Sequence, residues 1–241
     1  MRALAGEAIL TAWEKSRALP EQEAVLAVLA LALTEKPVEE LARLPLGERN
    51  ALLLELRAMT LGRGMEGFAI CPECGAQLEF SLDALELAKG LRTQPANAVA
   101  EFAGYKMRPA NTLDLLASSK AESEEQARSI LLARTVEANQ PESNDAWLQS
   151  QPDTVAVELM DRFEELNAAA EIRVQLQCAV CRNRSLIDMD IARFLLREIA
   201  GAARRLMTEI HELAAAYGWS ERSIAAMSGA RRAAYLEMIS A

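Results

Sequence analysis

The chain has 241 residues, 51% apolar and 25% charged, a balance that suits one large soluble domain or two small ones and needs no crosslinks to bury a core. Lys and Arg number 26 against 35 Asp and Glu; a net charge of -9 argues against a general nucleic-acid binder, which needs a basic surface to displace counterions. The single histidine, His211, excludes a Ser-His-Asp or Cys-His centre elsewhere and any metal site with two His ligands.

The start, MRALAGEAILTAWEKS, has no uninterrupted apolar stretch before Glu7 and does not read as a secretory signal. The longest apolar run, residues 24–33, falls far short of the ~20 residues that span a bilayer. The expectation is a soluble, intracellular protein with no membrane contact.

Apolar positions at three- and four-residue spacing predict a helix over 3–19, and Pro20 opens a second over 21–34, broken before Pro37. Short helices follow over 38–44 and 48–60, stopped by Gly62 and Gly64. Residues 65–82 read MEGFAI, CPECG, AQLEFSL: alternating apolar residues on either side of a Cys-containing turn, a β-hairpin. Helix resumes from 83 to about 170, with a strand predicted at 99–107 and helices at 111–119, 122–138 and 153–169. Residues 139–151, rich in Asn, Gln, Pro and Ser, read as an exposed loop, and Asp153 is placed to cap the next helix. A second hairpin, IRVQLQ, CAVC, RNRSLIDMD, leads into one long helix over 191–217 that Gly218 stops, then two shorter helices near 220–227 and 229–239. Met59, Met160, Met207 and Met238 fall at core spacing on their helices.

The four cysteines form two tight pairs, Cys71/Cys74 and Cys178/Cys181, in an otherwise Cys-free chain, a pattern that favours metal over disulfides where no export signal is present. A two-residue gap lets one knuckle turn aim both sulfurs at one ion, and two knuckles supply the four tetrahedral ligands that structural Zn²⁺ prefers. The halves are separated by 103 residues, whereas ribbons usually keep them within about 15–20. An iron–sulfur cluster also takes four cysteines, and a redox CxxC is the remaining alternative, although it normally occurs once. A shell of four thiolates is closed to water and substrate, so the site staples the fold. The resulting fold class is mainly α with a small β zinc ribbon. It divides into an N-terminal helical region (1–64), a split four-cysteine ribbon (65–82 with 171–190), a helical insertion (83–170), and a C-terminal long helix with a helical hairpin (191–241).

Other motifs carry less. His211 begins HELAA, which has Ala215 where a zinc-protease motif needs a second His, and paired acids such as Glu39–Glu40 and Glu164–Glu165 fall on solvated helix faces. No pattern supports an enzyme. Residues 211–236 have the helix, Gly turn and Ser-capped second helix of a helix-turn-helix, so a zinc-ribbon DNA-binding regulator is the alternative reading. Its candidate recognition segment, however, offers only Arg222 to bases, and residues 193–241 carry seven Arg against five Glu, a mild excess.

The runs Phe194-Leu-Leu-Arg-Glu-Ile199, His211-Glu-Leu-Ala, Tyr217-Gly-Trp-Ser-Glu221 and Arg231-Arg-Ala-Ala-Tyr-Leu236 resemble the baseplate-hub assembly proteins, often called chaperones, of T4-type contractile phage tails and related contractile injection systems. Two CxxC motifs, the second leading into Asp188 and Asp190 before a helix, fit variants of that family. The resemblance spans roughly 41–82 and 172–239. It implies a protein of the host cytoplasm or of the particle itself that holds a baseplate hub or tape-measure protein. It further implies that Tyr217, Trp219, Ser220, Arg231, Arg232 and Tyr235 form the partner-facing surface or its supporting core.

Overall fold

Three prolines set the starts of the early helices. Helix α1 spans Glu7–Ala18, α2 Glu21–Ala32, α3 Val38–Ala42 and α4 Leu46–Leu61; Pro20, Pro37 and Pro45 occupy the N-caps of the last three, where a fixed φ and a missing N–H cost a helix nothing. The computed structural model describes residues 1–92, 99–102, 105–137 and 153–240. Residues 3–6, expected to be helical, precede α1 as an arm: Leu4 is buried and its amide donates to Thr60 Oγ1 at 3.1 Å. Helix α2 buries Ala24, Val25, Leu26, Val28, Leu29 and Ala32, nearly its whole circumference, beside Leu53, Leu54 and Leu56 of α4.

Strands β1 (Gly64–Ile70) and β2 (Gln77–Asp83) form the first hairpin, with Gly64 opposite Asp83 and Ile70 opposite Gln77. It feeds α5 (Ala84–Leu91) through Asp83, whose carboxylate accepts from the amides of Leu85 and Glu86 at 2.8 and 3.1 Å.

The single strand expected over 99–107 is instead two, β3 (Ala100–Phe102) and β4 (Tyr105–Met107), joined by β5 (Val136–Glu137) in an antiparallel sheet ordered β3-β4-β5. The helix expected to reach 138 stops correspondingly early. Helix α6 spans Thr112–Ser118 and α7 Glu124–Thr135; β-branched Val136 then pairs with Met107, and both are buried with Leu132 and Leu159 in a small separate core. Helix α8 (Asp153–Asn167) ends in a 3₁₀ turn, Ala168–Ala170. The loop expected over 139–151 and the capping side chain of Asp153 lie outside the described residues.

This segment is bolted to α4 by polar contacts. Leu46 N donates to Ala110 O at 2.9 Å and Asn50 Nδ2 to Ala170 O at 2.8 Å, and within the segment Ala110 N donates to Asn167 Oδ1 at 2.9 Å. Asp114, fully buried, accepts from Arg108 at 2.7 Å and Arg134 at 3.0 Å, so its charge is compensated twice.

The second hairpin, β6 (Ile172–Gln177) and β7 (Arg184–Met189), pairs Ile172 with Met189 and Gln177 with Arg184. Asp190 caps α9 (Ile191–Tyr217) by accepting from Arg193 N at 3.1 Å. Ile191, Leu195, Ile199, Ala203, Leu206, Ile210 and Leu213 make one buried stripe along α9, at steps of three and four residues. Its first half closes the main core; its second half, with Leu10 and Ile224, builds another. Gly218 stops α9 in the left-handed conformation, and α10 (Glu221–Ala225) and α11 (Gly229–Ser240) follow. Met160 and Met207 pack at core edges as their spacing implied, but Met59 and Met238 are exposed, because their helices present those faces to solvent.

Candidate metal centre

The tips of the two hairpins are equivalent six-residue knuckles, CPECGA and CAVCRN. In the first, Cys71 N donates to Ala76 O at 2.8 Å and Gly75 N to Cys71 O at 3.0 Å; in the second, Cys178 N donates to Asn183 O at 2.8 Å and Arg182 N to Cys178 O at 3.0 Å. The residue after the second cysteine turns left-handed in each, Gly75 with φ 72° and Arg182 with φ 64°. The same backbone therefore recurs on unrelated side chains.

The knuckles face each other. Cys71 Sγ lies 3.6 Å from Cys181 Sγ and Cys74 Sγ 3.6 Å from Cys178 Sγ, and all four sulfurs fall within 4.8 Å of one another. Sulfurs at the corners of a tetrahedron about 2.3 Å from a central ion are about 3.8 Å apart. A disulfide needs about 2.05 Å; the thiols are free. The first cysteine of each pair is buried against Leu78 and Leu176, while the second is exposed.

The backbone does not treat the four sulfurs alike. The amides of Cys181 and Val180 point at Cys178 and, with the neighbouring thiols, pull its pKa down to about 6 despite burial. The Asn183 amide acts on Cys181 in the same sense, but desolvation and the thiols of Cys74, Cys71 and Cys178 outweigh it and push that group up to about 12. Cys74 is raised too: the Ala76 amide is overcome by desolvation and by Cys178 and Cys71. One thiolate is favoured and further negative charge is resisted. A divalent cation at the centre reverses that balance.

The bases of the two hairpins are tied by a contact that sequence reading missed. Arg57, on α4 and almost wholly buried, donates from Nε and Nη2 to the Glu198 carboxylate on α9 at 2.8 and 2.7 Å. Its Nη1 donates to Gly62 O at 2.6 Å and also to Gly64 O. One guanidinium thus ties the start of the first hairpin to the helix that leaves the second. Only position 57 within an apolar helix face, a charge among core leucines, signals this in the sequence.

The family model described as T4 bacteriophage base plate protein matches residues 7–196, which covers α1 through the first turns of α9 and includes all four cysteines. The chain belongs to that family. No curated protein and no solved structure matches it. The match in this baseplate-family chain takes in the first 40 residues from position 7 on and the segment between the hairpins, which the resemblance left uncovered, and ends within Phe194–Ile199, the first of the C-terminal runs that carried the resemblance. Among the described residues, no helix is long and apolar enough to cross a membrane.

Those C-terminal residues of the baseplate-family chain come together at the far end of α9. Tyr217 stacks on Trp219 with ring centroids 4.5 Å apart, and Tyr235 meets both edge-on at 5.7 and 4.8 Å. Arg231 lies over the Tyr235 ring at 5.8 Å. Arg232 pairs with Glu209 at 2.5 Å and donates to Met227 O at 2.6 Å, and Ser220 Oγ accepts from Ser223 N at 3.3 Å to cap α10. Trp219 and Tyr235 pack against the second core, while Tyr217 and Arg231 are exposed. The helix-turn-helix segment has a second helix, α10, of only five residues. His211 is exposed on α9.

Proposed function

We propose that this chain is a non-catalytic assembly factor or structural component of a phage-like contractile tail baseplate hub, with a structural zinc ion at its four cysteines. Membership of the base plate protein family carries this reading. The cysteine cluster supports the zinc assignment: the donor set is all sulfur and the spacing fits a tetrahedron. Iron would take the same donors, but two knuckles presented by separate hairpins are the arrangement of structural zinc.

The role of the ion follows from where the knuckles sit. Residues near 70 and near 180 meet at the cysteines, so bound metal closes a loop of more than a hundred residues and holds α5 and α9 in place behind their hairpins. A fully ligated ion has no open position, and the chain acts by contact with other baseplate proteins. Hub and tape-measure proteins are the proposed partners, with the Tyr217–Trp219–Tyr235 end of α9 as the surface that meets them.

The test is affinity purification of the tagged protein from cells building the particle, with mass spectrometry of the co-purifying proteins and of finished particles. Recovery of hub or tape-measure proteins is expected. The chain's presence in mature particles would make it structural, and its absence there an assembly chaperone. Recovery of RNA polymerase or DNA without tail proteins would sink the reading.

A further inference from the structure

A groove of about 790 Å³ runs between the inner faces of the two hairpins and the first half of α9, away from both the cysteines and the Tyr217 cluster. Its floor is apolar: Phe80, Val174, Ile187 and Met189 are half-buried and, among the described residues, have no further layer over them. Phe80 keeps the floor low by lying flat over its cross-strand partner Gly67, where any Cβ would fall 2.5 Å from the ring. Phe68 stands at the rim with 66% of its surface exposed.

The charges around the groove are unevenly spent. Glu198 is held by Arg57, and Arg193 by Glu21 at 3.2 Å. Asp190 caps α9, Asp188 sits 3.4 Å from Arg173, and Glu66 accepts from Ser81 at 2.9 Å. Arg197 and Arg205, two turns apart on the α9 wall, have no carboxylate within ion-pair distance among the described residues, in a chain with nine excess acids. An apolar floor under a wall carrying two unspent guanidinium groups complements a particular kind of ligand. Arginine is also the charged residue most often found at the centre of protein-binding surfaces.

We infer that this groove receives a segment of another polypeptide, one with apolar side chains on the side facing the hairpins and at least two carboxylates on the edge facing α9. The inference rests on the groove's own chemistry; the baseplate reading enters only in choosing the cells in which to test it.

A photoreactive benzophenone amino acid placed at Phe68 of the full chain, in cells assembling the particle, reads this directly, with Val157 on α8 as an exposed control site. The expected result is a crosslink from position 68, absent from 157, to a segment of another protein that holds apolar residues and at least two Asp or Glu. Arg197→Glu with Arg205→Glu should cut its yield at least tenfold, and Lys at both positions should restore most of it. Equal yields at 68 and 157, a crosslinked segment without acids, a crosslink to a second copy of this chain, or indifference to the charge reversal would each overturn the inference. Tail proteins that co-purify without a crosslink at 68 would remove the groove and leave the proposed function standing. A crosslink to an acidic, apolar segment of a protein foreign to the tail would do the reverse.

Discussion

Gly75 and Arg182 occupy the same left-handed position in two knuckles that are 107 residues apart in the chain. Glycine adopts that conformation freely, whereas an L side chain meets its own carbonyl, at a cost of about 1 kcal/mol. Arg182→Gly should therefore raise the stability of the protein by about 1 kcal/mol, and Gly75→Ala should lower it by a similar amount. Denaturant unfolding of the two variants beside the parent checks both signs. A loss of stability in Arg182→Gly would show that the side chain makes a contact worth more than the backbone relief.

The Arg57–Glu198 pair allows a sharper comparison. Arg57 has 4% of its side chain exposed and Glu198 26%, so removing the carboxylate strands a buried cation, while removing the guanidinium strands a carboxylate that water reaches. Glu198→Ala should cost about 3 kcal/mol, and Arg57→Met less, because Met fills much of the vacated space without charge. Stability should partly recover in the double variant. Thermal unfolding of the three proteins measures the coupling, and strict additivity would mean that the two residues act independently.

Much of this architecture was legible from periodicity and punctuation. The stripe from Ile191 to Leu213 predicts α9 as found, with Gly218 at its end, and the alternation around each CxxC predicts both hairpins. The third small sheet was legible only in part: extended chain was expected over 99–107, where β3 and β4 lie, but β5 was not. Val136 and Glu137 lie at the end of a helix-period segment, and only pairing with Met107, distant in sequence, turns them into a strand. At the cysteines, spacing announced that the four sulfurs come together, but it could not show that the first sulfur of each pair is buried and the second exposed, because that depends on how Leu78 and Leu176 pack beneath the tips. Long-range polar contacts such as Arg57–Glu198 leave almost no local trace, since their geometry belongs to the packing of two helices.

That asymmetry governs metal removal. Cys71→Ser or Cys178→Ser puts a hydroxyl into a buried apolar setting and removes a ligand, whereas Cys74→Ser or Cys181→Ser loses the ligand at a wet position. With the proposed zinc bound, all four should reduce it from one per chain, measured by elemental analysis, but the first two should lower the melting temperature further. A loss of about 5 kcal/mol corresponds to about 10–20 °C in a chain of this size. Chelation of the parent should reproduce the effect at exposed cysteines. An unchanged melting curve after chelation would take away the structural role of the ion.

Acid should loosen the exit of the first hairpin. Asp83 lies below the usual carboxylate range: desolvation opposes its ionisation, but the Glu86 and Leu85 amides and Arg63 more than offset it. A depressed folded-state pKa means that this group contributes stability above its unfolded value, near 3.9, and loses it as pH falls through the folded value. Asp83→Asn keeps a cap but cannot titrate, so its stability should fall less than the parent's as pH drops from 5 to 3. Parallel curves for parent and variant over that interval would contradict the assignment.

The aromatic end of α9 can be separated into packing and recognition. Trp219 is wedged between Tyr217 and Tyr235 and reaches the second core, so Trp219→Ala should cost about 2–3 kcal/mol, less than a fully buried Trp because part of the ring is already wet. Arg231 is exposed and its guanidinium lies over the Tyr235 ring, so Arg231→Ala should leave the melting temperature within about 2 °C of the parent. If this end meets a partner, Arg231→Ala should still reduce recovery of co-purifying tail proteins, since arginines beside aromatic rings anchor protein interfaces. A stable Arg231→Ala protein that retains its partners in full, beside a Trp219→Ala protein that loses them only in proportion to its unfolding, would assign the cluster to the turn between α9 and α11 and leave recognition to another face.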